Sequence, residues 1–177
     1  LVETVSEQIE SILDDIFPDA IKIGMVHTPE LVETIVKTLA KYKKVPIVFD
    51  PVMVATSGHR LIEEKTIETI IEKLFPISDL ITPNMDEAAI LARMDVKTLD
   101  DMKIAGERIK ELDCKNILLK GGHLETEMIT SLLYDSHGHY KTFESVKTKT
   151  NNTHGSGCTL SSAIASFVAQ GNSIDKA

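Results

Sequence analysis

Short apolar runs alternate with longer amphipathic stretches along most of the chain, and that alternation leaves few folds open. A-I-K-I-G-M (Ala20 to Met25), P-I-V-F-D (Pro46 to Asp50), D-L-I-T (Asp79 to Thr82) and N-I-L-L-K (Asn116 to Lys120) have strand length. Runs as apolar as I-V-F read as strands covered on both faces. Helical spacing marks Val2 to Ile16, with Val5, Ile9, Ile12, Leu13 and Ile16 as the apolar positions ahead of Pro18. It recurs in Pro29 to Tyr42, Glu63 to Leu74, Asn84 to Met94 and Leu99 to Leu112. Pro29 sits near a helix start, where its missing N–H costs nothing. Strands alternating with such helices predict a mostly parallel sheet with helices on both faces, an α/β three-layer αβα sandwich. Ser131 to Ser136 and His139 to Glu144, around His137-Gly138, predict an antiparallel hairpin added to that sheet. Pro51 to Leu61 shows no period, and Ser57-Gly58 within it reads as a flexible point. No linker, internal repeat or low-complexity segment divides residues 1–177, so a single domain is expected.

Composition narrows the function classes. With 19 basic and 27 acidic residues the net charge is -8, and no basic run is present. Nucleic acid and membrane surfaces are therefore poor partners. No apolar run reaches the roughly 20 residues of a membrane span, and no signal peptide is visible. Two cysteines, Cys114 and Cys158, stand outside any CxxC or CxxH pattern. A disulfide framework or zinc site is not expected, and a reducing cytoplasm is. The chain opens at Leu1 inside a helical pattern and closes at Ala177 in what reads as the first turn of another helix. It is expected to be the middle of a longer protein.

The chemistry gathers where a parallel sheet places it, beyond the carboxyl ends of the strands. That rule selects Met25, Asp50, Thr82 to Glu87 and Lys120 to His123. Asp50, ahead of Pro51, reads either as a turn cap or as a carboxylate holding Mg²⁺ through water. Asn84 and Glu87 have the spacing of a helix capping box, the favoured reading, and a compatible one has Glu87 add a second carboxylate near the phosphates. Lys120 reads as a surface lysine before a turn or as a point charge for a phosphate. Gly121 and Gly122 after it would permit close backbone approach. Finally, Asn152-Thr153-His154-Gly155-Ser156-Gly157-Cys158 leads into small and apolar residues, with Leu160, Ile164 and Phe167 at helical spacing. A helix beginning near Gly157 or Cys158 would present free N–H groups to an anion, and would favour a thiolate at Cys158. The bland alternative is a plain loop-to-helix joint. No G-x-x-x-x-G-K-[ST] occurs, and Leu160 stands where a dinucleotide fingerprint needs a glycine.

Four strings in order, D-P-V-M-V-A-T-S-G (Asp50 to Gly58), I-T-P-N-M-D-E-A (Ile81 to Ala88), L-L-K-G-G-H-L (Leu118 to Leu124) and N-T-H-G-S-G-C-T-L-S-S-A-I-A (Asn152 to Ala165), resemble hydroxymethylpyrimidine and hydroxymethylpyrimidine-phosphate kinases. These are thiamin-pathway members of the ribokinase-like superfamily, and the resemblance runs from about Ile21 onward. It implies a ribokinase-like fold and ATP-dependent phosphorylation of a hydroxymethylpyrimidine, then of its monophosphate, with Mg²⁺. Asp50 and Glu87 would lie near the metal and triphosphate, with Asn84 in the same N-x-x-E motif. Lys120 and Ser156 would contact ATP. Gly155, Gly157 and Cys158 would form the anion hole, with Cys158 as the proton acceptor where most ribokinase relatives carry aspartate. Met25 and Val52 would line the pyrimidine pocket, residues 52–61 would be a mobile flap, and a homodimer is expected.

The chain departs from the family at Ser156, where threonine is usual, and at Lys147, where arginine is frequent. Both keep the hydroxyl or the charge. The family's N-terminal pyrimidine-binding segment has no counterpart in these residues, so these 177 residues alone would be expected to fold poorly and to lack activity. Two rival readings follow. One is a pyridoxal kinase of the same superfamily, some of which carry a flap cysteine where this chain has Ala55. The other is a non-catalytic domain that senses the pyrimidine or a nucleotide.

Overall fold

In this computed structural model residues 2–55, 59–122, 127–148, 150 and 153–177 are described. Among these residues six strands form one sheet in the order of the chain: β1 (Ile21–Ile23), β2 (Ile47–Phe49), β3 (Leu80–Ile81), β4 (Ile117–Leu119), β5 (Met128–Tyr134) and β6 (Tyr140–Val146). The first four are parallel, with Ile23 opposite Phe49, Phe49 opposite Ile81 and Ile81 opposite Ile117. β5 and β6 add antiparallel, as the hairpin around His137-Gly138 predicts.

The helices are α1 (Val2–Asp15), α2 (Pro29–Leu39), α3 (Glu64–Thr69), α4 (Met85–Ala92), α5 (Leu99–Lys110) and α6 (Ser156–Ala169). Strand order follows chain order, so right-handed crossovers all pass over the same face. That face, carrying Ile23, Ile47, Phe49, Ile81, Ile117, Leu119, Leu132 and Tyr134, packs against α2, α3, α4 and α5 in the main core. The opposite face offers Val48, Leu80, Leu118 and Leu133, which pack against Ile164, Ala165 and Val168 of α6. The three layers are therefore unequal. β2, β3 and β4 send apolar side chains to both faces, which is why those runs are apolar throughout, whereas β1 carries Lys22 between its two isoleucines.

Local chemistry sets the element starts. Thr28 caps α2, accepting from the Leu31 amide at 3.3 Å, and Pro29 occupies the first turn. Asn84–Glu87 and Thr98–Asp101 form capping boxes at α4 and α5.

Several expectations need correction. Glu63 to Leu74 is not one α-helix: α3 passes into a π-helical segment, Ile70–Leu74, where the Phe75 amide donates to the Ile70 carbonyl. In α1 only Leu13 is buried and Ile12 is exposed, and Ile16, also exposed, lies just past the helix end at Asp15. In α6 the spacing of Leu160, Ile164 and Phe167 does not mark the buried face, because Leu160 and Phe167 are exposed and Ser161, Ile164 and Ala165 face inward. The segment after Pro51 is not patternless either. Val54 bridges Arg60 antiparallel, the Ala55 amide donates to His59 and the Leu61 amide to Met53, with Met53 and Ile62 in the core. Ser57-Gly58 lies outside the described residues.

Candidate active site

Backbone pairing delivers four chain segments to one end of the sheet. The Asp50 amide donates to the Ile23 carbonyl at 2.9 Å, that of Thr82 to Phe49 at 3.0 Å, and that of Lys120 to Pro83 at 2.9 Å. These bonds place Asp50, Thr82, Asn84 and Lys120 just past the carboxyl ends of β2, β3 and β4. α6 enters from the other side of the sheet, along β1 and β2.

Asp50 is at the centre and only 2% exposed. A carboxylate so buried needs compensating donors. Its Oδ1 accepts from Lys120 Nζ at 3.0 Å and from Thr82 Oγ1 at 2.9 Å, and Ser161 Oγ lies 3.4 Å from its Oδ2. Glu87 is buried to the same degree, and its Oε2 accepts from the Asn84 amide at 2.7 Å, while Asn84 Oδ1 accepts from the Glu87 amide at 2.8 Å. Burial pushes the Glu87 carboxyl up to about 7, and the Asp50 charge adds to the rise; amides of Asn84 and Met53 and the Lys120 ammonium act in the other direction. The capping-box reading of the N-x-x-E string holds, and the box leaves the Glu87 carboxyl close enough to Asp50 and Lys120 to feel both charges.

The glycine turn arrives where the sequence places it. Gly155 caps α6 with φ +80, a left-handed conformation that favours glycine. Gly157 bears on room instead: a Cβ there would stand 3.2 Å from Lys120 Nζ, so the ammonium would have to shift, and 3.9 Å from Asp50 Oδ2. The first turn of α6 thus abuts the Asp50–Lys120 pair. Its N-terminal N–H groups have no partner within the helix and carry the positive end of the helix dipole, an arrangement suited to an anion. Ser156 and Cys158 lie exposed on this turn, and Cys158 is a free thiol.

Of the remaining expected residues, Val52 is half-buried two positions past Asp50, and Met25 is exposed just beyond β1. Gly121 serves another purpose than the crevice, because a Cβ there would lie 1.9 Å from the Thr130 carbonyl oxygen: it lets β5 return beside β4. Gly122 faces open space. His123 and Asn152 fall outside the described residues. Two contributors carried no assigned role in the sequence, Thr82 and Ser161, both completely buried. The strand-end rule covers Thr82. Ser161 follows Gly157 by one helical turn, a small polar residue on the inward side, which is the signal that periodicity of apolar residues misses.

Among the described residues no group of three or more His, Cys, Asp or Glu is arranged to hold a metal ion. The donors that are present, two buried carboxylates beside a helix start, fit a hard divalent cation that keeps waters and shares phosphate oxygens. Among the described residues no helix is long and apolar enough to cross a membrane.

A family model described as phosphomethylpyrimidine kinase matches residues 2–177. The chain is 36% identical over 177 residues to the hydroxymethylpyrimidine/phosphomethylpyrimidine kinase of Bacillus subtilis, covering 99% of this chain and 65% of that protein. It is 37% identical over 173 residues to the thiamine biosynthesis bifunctional protein ThiED of Geobacter sulfurreducens, covering 98% of this chain and 35% of that one. The chain thus spans less than two thirds of the length of these relatives. Among solved structures, the phosphomethylpyrimidine kinase of Clostridium difficile superposes with a TM-score of 0.83 at 39% identity, covering 99% of this chain and 71% of that one. The pyridoxal kinase of Bacillus subtilis, in an ADP complex, superposes with a TM-score of 0.89 at 34% identity, covering 98% and 65%.

Proposed function

The chain belongs to the phosphomethylpyrimidine kinase family, and from that premise we propose that it carries the ATP-dependent phosphorylation of hydroxymethylpyrimidine and then of its monophosphate. The observation that carries this reading is the convergence of the α6 turn, the Asp50 carboxylate and the Lys120 ammonium, with Lys120 Nζ 3.0 Å from Asp50 and 3.2 Å from the space Gly157 leaves open.

Phosphoryl transfer asks mainly for positioning and for cancelling charge on the moving group. The N–H groups of Gly155, Gly157 and Cys158 meet the charge on the transferred phosphoryl, and Lys120 with Ser156 holds the nucleotide side. The substrate hydroxyl oxygen forms a bond to the γ-phosphorus as the bond to the β–γ bridging oxygen breaks; its proton passes to Cys158, and ADP leaves. Asp50 and Glu87, with Asn84 orienting Glu87, would hold Mg²⁺ through water, and the ion would withdraw charge from phosphate oxygens. Met25 and Val52 border the pyrimidine. The proposed setting is a cytoplasmic homodimer.

ADP release measured side by side with hydroxymethylpyrimidine and with pyridoxal tests the reading. Faster turnover of the pyrimidine is expected, and exclusive use of pyridoxal would shift the assignment to the pyridoxal kinases of this fold, one of which is bound to ADP. Binding of either ligand without ADP release would instead indicate a sensor. Cys158→Ala should lower kcat by about 10²-fold or more with ATP affinity unchanged. Near-normal turnover in that variant would remove Cys158 from the mechanism.

A further inference from the structure

The Thr82 hydroxyl, at the end of β3, is completely buried and donates to Asp50 Oδ1 at 2.9 Å. Lys120 Nζ donates to the same oxygen at 3.0 Å. The other carboxylate oxygen, Oδ2, has Ser161 Oγ at 3.4 Å, and that hydroxyl also lies 3.0 Å from the Gly157 carbonyl and 3.1 Å from that of Cys158. A hydroxyl has one proton to give. The shorter carbonyl contacts claim it, as helix serines commonly bond back to the preceding turn. Oδ1 is therefore engaged twice over, while Oδ2 is left facing the α6 turn, 3.9 Å from the position of a Cβ on Gly157.

The terminal torsion of an aspartate has a broad, shallow profile, so something must choose which oxygen faces which way. Lys120 alone does not, because a flexible ammonium can follow either oxygen. A hydroxyl on a buried strand end cannot follow. Were packing the only demand at this position, valine would fill the same shape and leave no polar group to satisfy.

We propose that Thr82 is a positioning residue for the reaction: it fixes the rotation of the Asp50 carboxylate so that Oδ2 is presented to the α6 turn, where the phosphates and their cation are read to bind. This rests on the kinase reading, and the experiment separates the two. Thr82→Val, Thr82→Ser and Asp50→Asn are made in the full-length protein, and each is measured for kcat and KM, for ATP affinity by calorimetry with and without Mg²⁺, and for thermal midpoint. Thr82→Val is expected to melt cooperatively, to lose about tenfold in kcat, and to lose a similar factor in the gain of ATP affinity that Mg²⁺ confers, with metal-free affinity and KM for the alcohol unchanged. Thr82→Ser restores both. Wild-type kcat and wild-type Mg²⁺ response in Thr82→Val would overturn the inference, and so would equal losses in the valine and serine variants. Asp50→Asn is the reference. If it loses kcat and Mg²⁺ response while Thr82→Val does not, only the positioning role falls; if Asp50→Asn is itself unaffected, the reading of Asp50 falls and takes Thr82 with it.

Discussion

Two aspartate–lysine pairs join the parallel strands, one at each end of the sheet. At the amino end, ahead of β3 and β4, Asp79 and Lys115 lie 2.6 Å apart with side chains 31% and 41% exposed. Asp79 also accepts from the Ile47 amide at 2.9 Å, and its carbonyl accepts from Asn116 Nδ2 at 2.7 Å. That pair ties three strand starts together in contact with water, where an ion pair contributes little beyond the bonds it anchors. At the carboxyl end, Asp50 and Lys120 lie 3.0 Å apart with side chains 2% and 15% exposed. Removing such charges from water costs more than their attraction readily returns. The same two residue types therefore stitch at one end, whereas at the other their burial beside Glu87 and a helix start fits the proposed binding of phosphates and their cation. An apolar cavity of about 240 Å³ lined by Leu13, Phe17, Ile21 and Ile47 also opens at the amino end, away from the charged cluster.

Exchanging each lysine for methionine tests that contrast most severely. Lys120→Met should reduce kcat by about 10²–10³-fold, the loss typical of one transition-state charge partner. Lys115→Met should leave kcat within about twofold and lower only the thermal midpoint, as an exposed pair would. Equal kinetic losses in the two variants would erase the distinction between the ends.

Glu87 sharpens it through pH. Burial raises its carboxyl from 4.5 to about 7 in the folded chain, and unfolding returns it to the ordinary carboxylate range. Between those values the folded protein retains a proton that the unfolded chain has released, so stability must fall as pH rises. The stabilisation is complete below the unfolded value and is gone above about 7. Its full span is on the order of 3 kcal/mol. Urea midpoints at pH 5 and pH 8 should differ in the wild type and differ less in Glu87→Gln, which keeps an acceptor for the Asn84 amide. An unchanged difference would assign the titration to another group.

How much of this was legible beforehand follows from what each residue obeys. The strands, their parallel pairing and the hairpin came through because apolar runs, turn residues and helical spacing are local signals. The meeting of Asp50, Asn84, Glu87 and Lys120 at one end of the sheet was legible because strand ends in a parallel sheet converge, and the glycine turn was legible as a helix start. The uneven layering did not, since it depends on strand order, which no local pattern records. The π-helical segment at Ile70–Leu74 did not, because its spacing imitates an α-helix over so short a span. α6 misled for a physical reason: its inward face begins against charged groups rather than the core, so Ser161 is buried and Leu160 is not. The strand-end rule reached Thr82 but not its part in the cluster, because a small polar residue there reads equally well as strand or turn.

The smallest expected effect concerns glycines, where sequence assigned one reason to positions that have different ones. Gly157 has no left-handed backbone, and it lies in the first turn of α6, where alanine is the better helix former by about 1 kcal/mol. Its Cβ, however, would sit 3.2 Å from Lys120 Nζ, closer than such contacts normally run, so the ammonium would have to give way. Gly157→Ala should therefore hold or raise the thermal midpoint while lowering kcat/KM by about tenfold, the cost of one weakened charged contact. Gly121→Ala should do the reverse, because its Cβ meets the Thr130 carbonyl at 1.9 Å and the strands must part. Gly122→Ala meets nothing within 4 Å and should alter neither quantity. Stability and activity moving together in Gly157→Ala would mean that its space serves the fold, and the carboxyl end of the sheet would then differ from the amino end in burial alone.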